Sequence, residues 1–358
     1  MTEDTKAADT TASEAEFNVS RRNFMRTAAA SSLAMGAIGG GAMSIPSKAI
    51  AQSGKAPGEM KFAAALGWTI QDSGEHMFNG YTEAVAEYGG ELVTSDAGFD
   101  PNVQTQQIDA FIATRPDALF ITPADVVAIT PAIKRAVDAG IPTFVGDSLT
   151  AGAPVTNTVM SNQFGMGEYT MNWIAEQLGG TGKVATVRLP ANETWDMRSH
   201  GMYAALRNHP GIENTADWAF SLDFSTTPRQ AVDNILTSNP DIDAIWCAWD
   251  GAAVEGALAA RAAGVDDRVI ITGIDGGKQA FEFIKAGSAM KMTMGQALYE
   301  VCWLNVFYAH QFLAGNPVPR LIISPVYKVG QEELANIEIP DDFDKPGRAA
   351  ELGWTRAL

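Results

Sequence analysis

What most constrains this chain is a rhythm: from residue 61 onward, short apolar runs alternate with stretches of helical spacing, and the cycle restarts midway. Runs at 62–66, 91–95, 118–122 and 142–146 read as strands, with helical segments at 77–88, 101–115 and 126–139 between them. These runs are apolar throughout instead of alternating, which is the pattern of a parallel sheet covered on both faces. Helical segments close at Gly and strands end at Asp, Thr or Pro, as βα units require. After a run at 155–159 the cycle repeats, with strands at 183–188, 217–220, 244–248, 269–272 and 291–294. Helices are expected at 166–178, 198–208, 228–238, 251–263 and 278–286, then a long one at 297–314 and a last strand at 321–326. The tail from Asp341 is polar and shows no readable element. The expected fold class is α/β, two doubly wound parallel-sheet lobes in succession, and 358 residues suit two domains.

Ahead of this pattern stands an address. Arg21-Arg22 and Phe24 precede a short stretch at 27–43 rich in Ala and Gly, and Ala49-Ile50-Ala51 follows. An arginine pair, a short apolar region and small residues at a cleavage site form a secretory signal of the twin-arginine kind. The stretch is too short and too weakly apolar for a membrane span. The mature protein is therefore expected to begin near Gln52 and to be periplasmic.

The formal net charge is −17, and residues 1–51 carry as many basic as acidic groups, so the acidity belongs to the mature chain. Phosphate recognition needs a basic footprint, so no nucleic-acid partner is expected. Cys247 lies in an apolar run and Cys302 in a helical segment, which reads as two separately buried thiols. Gly182-Lys183 lacks the Ser or Thr of a phosphate-binding loop and precedes a strand. No Gly-x-Ser-x-Gly elbow occurs, and His76, His200, His209 and His310 lack zinc spacing. Asn192-Glu193-Thr194 matches a glycosylation sequon, a triplet frequent by chance. Neither an enzyme, a metal nor a cofactor is expected.

In open α/β sheets ligands bind beyond the carboxyl ends of the strands, and the unusual side chains collect there. Trp68 and Gln71 follow the first strand, and Asp147 ends the strand at 142–146. Arg198 follows the loop after 183–188, which also carries Trp195, and Phe224 lies beyond 217–220. Trp249 and Asp250 close 245–248, Asp275 closes 270–274, and Gln296 follows 291–295. Carboxylates accept from sugar hydroxyls, Arg and amides donate to them, and aromatic faces cover the ring. Asp147, Asp250 and Asp275 also suit helix N-caps, and Trp68 also suits a core position.

The stretches Ile121-Thr122-Pro123-Ala124-Asp125, Ala139-Gly140-Ile141-Pro142, Gly273-Ile274-Asp275-Gly276 and Thr293-Met294-Gly295-Gln296 occur in this order. On them the chain, over about residues 60–330, resembles the ribose- and galactose-binding branch of type I periplasmic binding proteins. The resemblance implies Asp147, Arg198, Phe224, Asp275 and Gln296 as ligand contacts. Trp249 stands where many relatives have Asn, and Ser73-Gly74 replaces the aromatic pair of ribose binders, so Trp68 and Trp249 are expected to supply the stacking. The resemblance further implies a three-crossing hinge near Ser161, Gly295 and Ser324. That gives an N-terminal lobe of 60–160 plus 296–323, a C-terminal lobe of 161–295 plus 324–345, and a tail of 346–358. The expected partners are a small polar solute, a monosaccharide or polyol, and an ABC permease, with the protein a monomer. A periplasmic sugar sensor and an exported carbohydrate-active enzyme are the alternatives. A lac-repressor-type regulator shares the fold, but the signal occupies the place of its DNA-binding helices.

Overall fold

The computed structural model describes residues 54–150, 152–221 and 225–358. The address segment, with Arg21, Arg22 and the Ala51/Gln52 junction, and Phe224 lie outside the described residues. The first elements are β1 (Lys61–Leu66), α1 (Gln71–Tyr88), β2 (Glu91–Asp96), α2 (Pro101–Thr114), β3 (Ala118–Thr122), α3 (Val126–Asp138), β4 (Thr143–Gly146) and β5 (Asn157–Met160). Then follow α4 (Gln163–Gln177), β6 (Gly182–Arg188), α5 (Glu193–Asn208), β7 (Ile212–Ala219), α6 (Pro228–Ser238) and β8 (Ala244–Cys247). After these come α7 (Asp250–Ala262), β9 (Ile270–Asp275), α8 (Lys278–Lys285), β10 (Met290–Gln296) and α9 (Leu298–Leu313). The last are β11 (Leu321–Ile323), β12 (Val326–Gly330), α10 (Gln331–Leu334) and α11 (Arg348–Glu351).

The strands form two sheets, ordered β11-β5-β4-β3-β1-β2 and β12-β10-β9-β8-β6-β7. Every pairing is parallel except β10 with β12, so the second sheet has one antiparallel edge. Central strands are buried on both faces. In β1, Phe62, Ala64 and Leu66 enter one core, while Ala63 and Ala65 enter another with Ile108, Leu119 and Ile129. This is why the sequence there is apolar without alternation. The edge strands β2 and β7 are exposed or half-buried at every position but Ile212.

The chain passes between the sheets through α4, through α9 and again between β11 and β12. The expected single strand at 321–326 is therefore two strands in different sheets. Ser324-Pro325 separates them, and Pro lacks the N–H needed to continue a ladder. Helices α4 and α5 pack unusually close. A Cβ on Gly167 would overlap the Arg198 carbonyl, and one on Gly201 the Phe164 carbonyl. Glycine at these two positions lets the helix carrying Arg198 lie against the start of α4. Cys247 and Cys302 are free and buried, as expected.

Candidate functional site

The carboxyl ends of the strands in both sheets converge on Arg198, which is 1% exposed. It lies in the second turn of α5, not at an exposed helix start, because Asn192 caps the helix five residues earlier than expected. The Arg198 Nε donates to Gln163 Oε1 at 2.8 Å. Its Nη1 donates to the Ala248 carbonyl at 2.7 Å and to Asp275 Oδ1 at 3.0 Å. Gln163 Nε2 in turn donates to Asp147 Oδ1 at 2.9 Å and to Gln296 Oε1 at 3.0 Å. Gln296 Nε2 donates to Asp275 Oδ1 at 2.8 Å, which closes a ring of side chains. Gln163 opens α4 and Gln296 ends β10, so two of the ring's members sit where the chain passes between the sheets.

Backbone conformation fixes two of the carboxylates. Asp147 has φ 66° and Asp275 φ 143°, a region that non-glycine residues enter only when their surroundings hold them there. Neither caps a helix. Burial pushes Asp147 up to about 7, against the attraction of Arg198 and with the repulsion of Asp275. Burial also raises Asp275, although Arg198 and Gln296 oppose it. Asp250 plays a different part. Its Oδ2 accepts from the amides of Gly276 and Gly277 at 2.8 and 2.9 Å, and its Oδ1 accepts from Thr293 Oγ1 at 2.6 Å. It thus supports the loop after Asp275 and lies outside the ring. Burial and Asp275 push its carboxyl up to about 7.

Aromatic rings form the adjoining wall. Trp68 stacks on Phe99 (4.9 Å, 9°) and meets Trp195 at 5.5 Å; Trp195 meets Trp249 at 6.1 Å, and Trp249 stands edge-on to Phe220 at 5.7 Å. Trp68 and Phe99 follow strands of the first sheet and the other three follow strands of the second, so the wall spans both. Ser148 Oγ and Thr194 Oγ1 are 2.7 Å apart, and Asn192 Nδ2 donates to the Ala124 carbonyl at 2.7 Å, also between the sheets. Gln71 is exposed and begins α1, at the mouth of a pocket of ≈ 130 Å³ bordered by Asp250, Asp275 and Gly277. A surface groove of ≈ 680 Å³ at Phe164, His200 and Tyr203 is wider, but it lies away from the ring.

Some polar groups of these residues are left without a hydrogen bond among the described residues. Asp147 Oδ2 and Arg198 Nη2 take part in no hydrogen bond among the described residues. The buried Trp195 Nε1 likewise has none. A buried donor left unpaired costs about 1–3 kcal/mol, so the Trp195 indole N–H marks a place where another molecule's polar atom fits. Of the expected residues, Asp147, Arg198, Asp275 and Gln296 come together, and Trp68 and Trp249 stand in the aromatic wall. Gln163 was not among those expected, and Trp195, noted beyond the strand at 183–188, joins the aromatic wall. Gln163 directly follows the crossing at Ser161, and Trp195 lies in the first turn of α5, one turn before Arg198; position beyond a strand end was the available signal for both.

Two sheets whose carboxyl edges face each other across a polar, aromatic-walled cleft define a solute-binding protein. The chain belongs to the family described as the periplasmic binding protein domain, whose sequence profile matches residues 66–317. It is 28% identical over 255 residues to the ribose import binding protein of Bacillus subtilis, covering 69% of this chain and 79% of that protein. It is 24% identical to the xylitol-binding protein of Mycolicibacterium smegmatis, covering 70% of each. Among solved structures, an ABC transporter solute-binding protein from Bacillus halodurans with bound myo-inositol matches with a TM-score of 0.73 and 26% identity, over 79% of this chain and 98% of that one. One from Actinobacillus succinogenes with bound D-allose matches with a TM-score of 0.72 and 26% identity, over 78% and 100%.

Proposed function

We propose that this chain captures a neutral polyhydroxylated solute, a monosaccharide or polyol, and delivers it to the permease of an ABC importer. The observation that carries this reading is the set of atoms left without a hydrogen bond among the described residues: an Asp147 carboxylate oxygen that accepts, and an Arg198 guanidinium nitrogen and the Trp195 indole N–H that donate, beside aromatic faces. A hydroxyl both donates and accepts, so one polyol satisfies all three. The names of the relatives support the same class of solute. The site residues would be Trp68, Asp147, Gln163, Trp195, Arg198, Trp249, Asp275 and Gln296, with Gln71 at the margin, and Phe224 remains an expected ligand contact.

In this reading the lobes 60–160 plus 296–323 and 161–295 plus 324–345 close on the solute by a hinge motion at the three crossings. Closure excludes water and strengthens the polar contacts. The protein acts as a periplasmic monomer, exported by the twin-arginine route and cleaved near Ala51/Gln52, with no catalytic step of its own. A thermal-shift screen with D-ribose, D-allose, xylitol and myo-inositol tests the reading, because a ligand that binds only the folded state raises stability with concentration. At least one of these, or a related neutral sugar, is expected to raise Tm by several degrees. Stabilisation by organic acids or amino acids alone would overturn it.

A further inference from the structure

One face of α1 meets elements of the second sheet at successive turns. In the first turn, Asp72 Oδ2 accepts from the Gln279 amide of α8 at 3.4 Å, and a Cβ on Gly277 would come within 2.5 Å of it. One turn on, His76 Nδ1 lies 2.7 Å from Asp344 Oδ2, with the carboxylate side chain 1% exposed. Farther along, Glu83 pairs with Lys345 at 2.8 Å. This spacing along α1 puts the three on one side of the helix.

The segment that supplies Asp344 and Lys345 is anchored on the second sheet beside the solute residues. Phe343 stands edge-on to Phe281 at 5.4 Å, and its ring fills the space over Gly276 and Gly295, the neighbours of Asp275 and Gln296. Asp344 Oδ2 also accepts from the Tyr299 amide at 2.8 Å, at the start of α9, which packs along α1. The tail therefore touches the first sheet's helices with one side and the Asp275 loop with the other.

We propose that segment 341–345 is a closure strap in which the His76–Asp344 pair holds α1 against the second lobe and so sets solute affinity from outside the cleft. The proposal rests on the reading of the cleft as a solute site. Breaking the strap leaves every side chain of the Arg198 ring in place but removes a contact that favours the closed arrangement over the open one. Affinity falls by the same factor as that preference.

The strap is sensitive to pH. His76 faces Asp72 and Glu75 on its own helix, Asp344 with Asp341, Asp342 and Lys345 from the tail, and Lys278 from α8. From α9 it faces Tyr299, and Glu300 lies near Asp344. Burial works against the imidazolium, but Asp344, then Asp72 and Glu75, outweigh it, and the His76 pKa is raised. A histidine whose pKa is higher in the closed form contributes fully below its ordinary value of 6.5. That contribution is lost as pH rises through the raised value. Glu300, which burial and Asp344 push up to about 7, works in the same direction. Asp147 and Asp250 titrate in this range as well, so the difference between wild type and a His76 variant isolates the strap.

The test uses the mature chain with His76→Ala and His76→Gln, the second keeping a hydrogen-bonding amide without charge. Calorimetry with D-ribose, D-allose and myo-inositol at pH 5.5 and 8.5 gives the first readout. At pH 5.5, His76→Ala is expected to bind about tenfold more weakly than wild type, narrowing to about threefold or less at pH 8.5, with His76→Gln between them. Spin labels at Lys134→Cys and Arg261→Cys, one on each lobe, give interlobe distances without solute. His76→Ala is expected to shift these toward wider separations at pH 5.5. If none of the three solutes binds the wild type, the stabilising sugar from the thermal-shift screen takes their place, and where no neutral sugar stabilises the protein the solute reading fails while the distances still judge the strap. Unchanged distances, with unchanged affinity wherever a solute binds, overturn the strap even if Tm falls, because the pair would then be a local support alone.

Discussion

Arg198 shows how a single side chain can belong to the fold and the site together. Its guanidinium reaches the Ala248 carbonyl, Asp275 and Gln163 while 1% exposed. Removing one partner of such a buried pair leaves the others uncompensated. Arg198→Ala is therefore expected to lower stability by roughly 3 kcal/mol in urea unfolding. Solute binding is expected to weaken by about 2 kcal/mol or more in calorimetry. A variant with normal affinity would remove Arg198 from the site. Asp147 gives a titration with a defined sign. Its folded pKa of about 7 lies above the ordinary carboxylate value of 3.8, so the folded protein binds the proton more tightly than the unfolded chain. Stability then falls as pH rises between those values. Asp147→Asn removes this group, so its loss of Tm between pH 5 and pH 8 is expected to be smaller than that of the wild type. Equal losses would mean that the other buried carboxylates carry the whole dependence.

Two helix caps of similar chemistry have different consequences. Thr227 closes a capping box with Gln230 and precedes Pro228 at the helix start, a purely local arrangement. Asn192 caps α5 through Thr194 and also holds the Ala124 carbonyl of the other sheet. Thr227→Ala is expected to cost about 1 kcal/mol of stability and leave solute affinity unchanged. Asn192→Ala is expected to cost more, about 2 kcal/mol, and to weaken solute binding several-fold as well, since its second bond joins the lobes. A Tm series with parallel calorimetry separates the two; equal affinity in both variants would show that the Ala124 bond is not sensed by the site. The same pair shows what the sequence made legible. The start of α6 was readable because Pro228 marks it, whereas α5 begins five residues before its expected start, since Asn192-Glu193-Thr194 reads as a chance sequon. β7 begins at Ile212 and not near Asp217, because as an edge strand it carries exposed Glu213 and Asn214 next to its one buried position, Ile212. Strands covered on both faces announce themselves by apolar runs; of these two edges, β2 was read at 91–95, while the polar start of β7 was not. Gln163 carries no local pattern at all; its part arises only when two crossings and three strand ends meet.

At the scale of the whole molecule, the alternation of runs and helices was enough to give two successive α/β layers, and the positions of Asp147, Asp275 and Gln296 followed from the strand ends. The polar tail was not readable, because its structure comes from packing Phe343 and Trp354 onto Phe281 and not from any period of its own. The aromatic wall supplies a reporter for relative motion of the lobes. Trp68 is held on the first sheet's side by stacking on Phe99, and Trp195 on the second's by Trp249, so the proposed hinge opening would part mainly the Trp68–Trp195 pair at 5.5 Å. A solute that closes the cleft is therefore expected to change tryptophan emission by altering the surroundings of these two rings. Eight tryptophans contribute to the signal, so the assignment needs single replacements. Trp303 stacks on Phe307 within α9 and serves as the control. In titrations with a stabilising sugar, Trp68→Phe and Trp195→Phe are each expected to lose roughly half or more of the emission change, while Trp303→Phe keeps it. Trp195→Phe is also expected to bind several-fold more weakly, because the unpaired indole N–H no longer meets a hydroxyl. Its folding stability should hold or rise, since no buried donor is then left unsatisfied. Retention of the full signal and affinity in both cleft variants would mean that the rings are core alone, and the case for a carbohydrate would fall back on the Arg198 ring.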